Sequence, residues 1–330
     1  ETYLMILFET RASVILYNVL FSLKKSGFLK KNSVFLIPLN VCPIVPAVFL
    51  KAGVRFDFVD ISLETLCIDE TLLIRRVIED KNIKGILFVK TYGTEYEPLE
   101  TFKTIKNINK NIFLIDDCCL KIPDFDYDFN KSLSDLAIFS TGYSKYVDIG
   151  WGGFGFLRDE YLLCKENIPF NNNDLKKLTN SLSNSILKNE KFEYIDNDWL
   201  GSDVCLYDDF NKYTERVKYE LLKINEHKKL INNIYSVGLD DDIQSNEMFW
   251  NWRFSIFVDN KKYLIEKIFN SDLFASSHYA DIGLIYGYKE DTVSNANKVY
   301  FKVINLFNDF RFSEDDACKT VDLINKYLKG

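Results

Sequence analysis

Five short, largely apolar runs punctuate the first half of the chain: VFLIP (34–38), FDFVDI (56–61), ILFVKTYG (86–93), IFLIDD (112–117) and LAIFS (136–140). Segments of helical character lie between them: residues 9–26 ending at Gly27, Cys42 to Lys51 closed by Gly53, and Pro98 to Asn109. Continuous apolar runs separated by helices belong to strands buried on both faces, so the pattern predicts an α/β fold with a mostly parallel central sheet covered by helices. Ligands of such sheets bind beyond the carboxyl ends of the strands. Tyr92, Asp117, Ser140 and Lys145 all fall at or just after such ends.

The remaining pattern predicts a smaller second domain. At 330 residues the chain exceeds the ~250–300 residues at which single cores stop growing. Residues 165–198 are polar and weakly patterned and read as an excursion from the core. Phe210, Tyr213, Val217, Leu221 and Ile224 then recur at helical spacing, opening a long helix. Trp250, Trp252, Phe254, Ile256 and Val258 alternate as on a half-buried strand, and Ser313 with Asp316 has the form of a capping box before a last helix through Leu328. The predicted division is residues 1–204 as a large α/β domain and 205–330 as a small α+β domain.

Composition excludes several function classes. Forty-one basic and 48 acidic residues are dispersed, for a formal charge of −7, which argues against a nucleic-acid surface. Seven scattered cysteines without a CxxC pair, beside only two histidines, read as reduced cytoplasmic thiols and supply no metal site. The apolar run Tyr3 to Phe8 is too short for a membrane span and lacks the flanks of a signal peptide. A start at Glu1 rather than Met is what a chain trimmed at its N-terminus would show. No GxGxxG follows an early strand, and the chain has 14 glycines, so a nicotinamide dehydrogenase is disfavoured.

The stretch DLAIFSTGYSKYVDIGWGGFGF (135–156) concentrates the chemistry. Lys145 follows an apolar strand and precedes a Gly-rich segment, a setting in which a partly buried amine serves as nucleophile and then as proton shuttle, here by holding an aldehyde cofactor as a Schiff base. Asp117 closes a strongly apolar strand; a carboxylate there keeps a pyridine nitrogen protonated and turns the ring into an electron sink. Thr10 stands at the start of the first helix, where unpaired N–H groups and the helix dipole form an anion site; an ordinary Thr cap is the structural alternative. His278 is a candidate to bind substrate, or else a structural turn histidine. Arg253 is a candidate for a bidentate contact to the donor carboxylate, or else a cation snorkelling at a sheet edge.

Taken in order, VRFDFVDI, VKTYG, LIDDCC, DLAIFSTGYSK and GWGG resemble the DegT/DnrJ/StrS aminotransferases, pyridoxal-phosphate enzymes acting mainly on nucleotide-linked keto sugars. The resemblance covers most of residues 9–156 and continues weakly to VINLFND near the C-terminus. It implies the aspartate aminotransferase type I fold, glutamate as amino donor, and a homodimer with active sites at the subunit interface. Position by position it implies Lys145 as the Schiff-base lysine, Asp117 as partner of the pyridinium nitrogen, Ser140 as a phosphate ligand, and Thr10 and Arg11 as the helix start that holds the phosphate. Gly152 and Gly153 match the paired glycines after the lysine, and Tyr92 matches the tyrosine of the family's tyrosine-glycine pair, a candidate to bind substrate.

Three departures accompany the resemblance. Cys42 stands where relatives stack an aromatic ring on the cofactor, Leu120 replaces a glutamine, and Asn197–Asp198 occupies the place of an asparagine that reaches the neighbouring subunit's phosphate. With Asp198 the better aligned, a carboxylate would face a phosphate unless Asn197 takes the role through a one-residue shift. Two other readings stay open: a pyridoxal-phosphate keto-sugar dehydratase, although relatives of that kind generally lack the lysine, and a non-catalytic dimeric scaffold.

Overall fold

The computed structural model describes residues 4–158, 161–288 and 293–329; Glu1 and Tyr3 lie outside them. The chain opens with β1 (Leu4–Glu9), α1 (Ala12–Lys25), β2 (Val34–Pro38), α2 (Ile44–Ala52), β3 (Arg55–Val59), α3 (Glu70–Glu79), β4 (Ile83–Val89) and α4 (Leu99–Ile108). It continues with β5 (Phe113–Asp117), α5 (Phe129–Ser132), β6 (Leu136–Ser140) and β7 (Gly153–Arg158). These seven strands form one sheet in the order β1-β7-β6-β5-β4-β2-β3. The pairs among β2 to β6 are parallel, while β7 runs antiparallel to both β6 and β1.

Side chains of one strand alternate between two cores, which explains why the runs are apolar throughout. Phe35 and Ile37 of β2, with Phe113 and Ile115 of β5, pack with α1 and α2. Leu36, Ile86, Phe88 and Leu114 face the other way onto Leu73 and Val77 of α3 and Phe102 and Ile105 of α4.

The second half contains α6 (Asn172–Lys188), α7 (Phe210–Gly238), β8 (Phe254–Phe257), α8 (Lys261–Phe269), β9 (Ala275–Ser276), α9 (Asn295–Tyr300), β10 (Val303–Leu306) and α10 (Glu314–Lys329). A three-stranded antiparallel sheet, β8-β10-β9, packs with α7, α8 and α10 around Ile231, Tyr235, Phe254, Leu264 and Ile324. The Ser313–Asp316 capping box forms reciprocally: Ser313 N–H donates to the Asp316 carboxylate and Asp316 N–H to Ser313 Oγ. Among the described residues no helix is long and apolar enough to cross a membrane.

Several local expectations are corrected. The first helix starts at Ala12 with Arg11 at its cap position and no side-chain cap bond, so Thr10 does not act as the cap. The run at 86–93 ends as a strand at Val89, and Thr91–Gly93 forms a 3-10 turn with Tyr92 at φ +57°. The alternation at 250–258 yields a strand only over Phe254–Phe257, because the preceding tryptophans belong to a turn anchored by side-chain bonds. Residues 165–198 are not an excursion: α6 buries Leu178 and Leu182 against the large core, with Phe192 beside them.

Candidate functional site

The carboxyl ends of β4, β5 and β6 open on a cavity of about 350 Å³, walled on one side by the first turn of α1. Of the predicted residues, Thr10, Arg11, Cys42, Asp117, Ser140 and Lys145 line it, with Leu120 beside them. A larger open groove of about 1110 Å³ between α8 and α10 contains none of them.

The end of the cavity at the start of α1 is built by backbone. Gly153 pairs with Glu9 on β1 and with Ser140 on β6, so one residue links the two strands that deliver Thr10 and Ser140. Gly152, at φ +93°, donates its N–H to the Thr10 carbonyl at 2.9 Å. A Cβ on Gly153 would lie 2.3 Å from the Ala12 nitrogen, so only glycine lets β7 press against the start of α1. The first turn of α1 carries no acidic residue, and while Val14 N–H donates to the Arg11 carbonyl at 3.1 Å, the N–H groups of Ala12 and Ser13 have no intrahelical acceptor. Arg11 adds a guanidinium at the same end, with desolvation lowering its proton affinity.

The pleat of β5 separates its two aspartates. Asp117 is 8% exposed and lines the cavity, and its Oδ1 accepts from Cys119 N–H at 3.0 Å. Asp116 points to the opposite face, fully buried, where Tyr127 donates to it at 2.7 Å and Lys90 lies 3.8 Å away. Burial pushes the Asp116 carboxyl up, against the opposing pull of Lys90. Half-buried Cys42 has its thiol pushed up by desolvation, with Lys145 lowering and Asp117 raising it.

Lys145 sits in a turn drawn tight by Asp148, whose carboxylate accepts from Ser144 N–H at 2.7 Å and Gly150 N–H at 2.9 Å. Its Nζ has no hydrogen-bond or ion-pair partner among the described residues. A half-buried amine without a counter-ion among the described residues, in one cavity with a carboxylate and a helix start, can attack an electrophilic carbon and then shuttle a proton.

The predicted substrate residues are placed differently. Tyr92 is fully buried, its hydroxyl donating to the His278 carbonyl, and it does not line this cavity. His278 lies against Trp252, one residue from the cavity wall; burial first, then Arg253, Lys145 and Lys261, lower its imidazole to about 4. Arg253 is 4% exposed, so it does not snorkel, and it is not on the cavity wall. Desolvation lowers its guanidinium to about 10, and it donates to Ser276 and, at 2.5 Å, to Ser144 Oγ. Asn197 and Asp198 lie outside this cavity; the Asn197 carbonyl accepts from Lys51 at 3.0 Å, and its Oδ1 is buried without a partner.

Among the wall residues that escaped the sequence reading are Cys119 and Tyr279. Cys119 is two residues beyond Asp117, and the two-residue spacing alone would place them on one side. Tyr279 reaches the wall from the second half of the chain, and its neighbour His278 was the only signal.

The sequence profile of the DegT/DnrJ/EryC1/StrS aminotransferase family matches residues 22–186. No curated protein sequence matches the chain. Among solved structures, a DegT/DnrJ/EryC1/StrS aminotransferase from Brucella abortus superposes with TM-score 0.68 at 16% identity, covering 98% of this chain and 85% of the other. The sugar aminotransferase CalS13 from Micromonospora echinospora gives TM-score 0.67 at 16% identity, covering 97% and 87%. The E. coli GDP-4-keto-6-deoxy-D-mannose-3-dehydratase gives 0.64 at 18% identity, covering 98% and 87%. These likenesses establish the fold, type I of the aminotransferases, over nearly the whole chain. With the profile spanning half of its residues, the chain belongs to the DegT/DnrJ/EryC1/StrS aminotransferase family.

Proposed function

We propose that this protein is a pyridoxal-phosphate-dependent aminotransferase that moves an amino group from an amino acid, glutamate in our reading, to a ketone on a nucleotide-linked sugar. The observation that carries the reading is the convergence of Lys145, Asp117, Ser140 and the start of α1 on one cavity. The donor set suits a phosphorylated pyridine aldehyde: an anion cradle that a Cβ on Gly153 would fill, an amine and a carboxylate. When bound, the cofactor supplies an aldehyde carbon for amine exchange and a protonated ring that withdraws electrons from the donor's α-carbon.

The protein's own groups divide the remaining work. Lys145 would hold the aldehyde carbon, and its Nζ would carry the proton that leaves the donor's α-carbon. Asp117 would keep the ring nitrogen protonated by fixed charge, which costs no reorganisation during reaction. Ser140 and the α1 N–H groups would orient the phosphate, and Val89 and Ile138 supply apolar wall. Cys42 presents less contact area to a ring than an aromatic side chain does. We also propose a homodimer, with Asn197 turned to the partner's phosphate and residues 1–204 and 205–330 as its large and small domains.

The test is the visible spectrum of purified protein with pyridoxal phosphate, for wild type and Lys145→Ala. Wild type should show a protein-linked band that the variant lacks. Glutamate should convert the cofactor stoichiometrically to pyridoxamine phosphate, and a keto sugar should restore the band. An equal band in Lys145→Ala would falsify the assignment of the lysine. A keto-sugar dehydratase, a reaction that this fold also houses in the E. coli enzyme, would consume the keto sugar and release the donor's nitrogen as ammonia instead of leaving it on the sugar.

A further inference from the structure

Ser144, immediately before Lys145, has a left-handed backbone, φ +61°, which a residue with a Cβ adopts only at a cost. All three of its polar groups are engaged. Its N–H donates to Asp148 within the turn. Its carbonyl accepts from Trp252 Nε1–H at 2.7 Å, and its hydroxyl accepts from Arg253 Nη2 at 2.5 Å. The last two donors come from the second half of the chain, more than a hundred residues away.

The donors are themselves held. Trp252 N–H donates to the Tyr92 carbonyl at 3.2 Å, and the Trp252 carbonyl accepts from buried Lys228 at 2.7 Å. Its indole stacks on Tyr279, a wall residue of the cavity, with ring centres 6.0 Å apart. Arg253 lies between the rings of Trp252 and Phe307, at 4.3 and 3.9 Å. Its fork joins Ser276 on β9 to Ser144 in the turn. Among the described residues its hydrogen-bond partners are hydroxyls, with Asp309 acting only from a distance, and a buried guanidinium so placed is an expensive way to add stability. A planar fork is a good way to fix two groups in register.

We propose that Arg253 and Trp252 are positioning residues: acting through Ser144, they aim the Lys145 side chain into the cavity. The proposal rests on the aminotransferase reading. Lysine carries its amine on four methylenes, so its direction of approach depends on the backbone from which it departs. Arg253 is in this account neither a donor-carboxylate ligand nor a surface cation. It ties the reacting amine to the small sheet.

The test compares Ser144→Ala, Trp252→Phe and Arg253→Met with wild type in single-turnover reaction with glutamate, beside visible circular dichroism of the bound cofactor. Each variant should lower the rate constant at saturating glutamate on the order of 10- to 100-fold while the donor KM holds. Each should also alter the dichroism of the lysine-linked band. The Ser144→Ala/Arg253→Met double variant should be no slower than the slower single one, because both remove the same tie. A raised donor KM with an intact rate constant in Arg253→Met, and a silent Ser144→Ala, would overturn the proposal in favour of a carboxylate ligand. Unchanged rates and dichroism in all variants would overturn it outright. Should Arg253→Met not fold, Ser144→Ala and Trp252→Phe decide alone. Absence of any lysine-linked band in wild type would instead defeat the cofactor reading, a different outcome from an intact band with indifferent variants.

Discussion

A methyl group on Gly153 would meet the Ala12 nitrogen at 2.3 Å and its Cα at 2.7 Å, both backbone atoms that cannot swing away. Gly153→Ala must therefore push α1 off β7, and with it the N–H groups at the anion end of the cavity. We expect a loss of about 1–3 kcal/mol in urea unfolding, typical of overpacking, and weaker pyridoxal-phosphate binding by fluorescence titration. Pyridoxal, lacking the phosphate, should lose little affinity. Lys145 and Asp117 were readable one residue at a time because strand ends of parallel sheets point at the ligand crevice. Tyr92 occupies such a position as well, but its left-handed backbone turns the ring inward, and no local pattern encodes that turn.

At the scale of elements, α7 runs for 29 residues and buries Tyr213 and Val217 beside the large sheet and Ile231 and Tyr235 beside the small one. Between them it buries Lys228, 3% exposed, whose amine donates to the Trp252 carbonyl and to Asn308 Oδ1, both at 2.7 Å. Desolvation, with help from Arg253 and Arg311 and against Asp309, lowers its pKa to about 7. Between that value and the ordinary ~10.4 of lysine, the unfolded chain binds a proton that the folded chain has released, so stability rises with pH. Urea unfolding midpoints should climb from pH 7 to 9 in wild type, and Lys228→Met should flatten the climb. The same variant leaves two buried acceptors unpaired, at a cost of roughly 1–3 kcal/mol each. The periodicity of α7 was evident in the sequence; a lysine on its buried stripe broke the pattern, and its partners lie 24 and 80 residues away.

Across the whole molecule, the second half of the chain contributes to the site directly through Tyr279 at the wall and indirectly through the tie from Trp252 and Arg253 to Ser144. The proposed homodimer adds a further dependence. If Asn197 serves the partner's phosphate, mixing Lys145→Ala subunits with Asn197→Ala subunits should create heterodimers with one intact site. Activity should then exceed that of either parent, measured as glutamate-dependent conversion of the cofactor; a mixture no better than its parents would remove Asn197 from that role.

By itself the sequence determined the parallel strands of the large sheet and the strand-end residues Asp117 and Ser140, with Lys145 in the turn that follows. Those depend on burial of both sheet faces and on period, which are local properties. Only the tertiary structure decided that β7 turns antiparallel to close the sheet with β1, that α6 packs into the core, and that Arg253 grips Ser144 from inside the protein. Each of these depends on which distant surface a segment meets, and neither the hydrophobicity of a short window nor the charge of a single side chain contains that information.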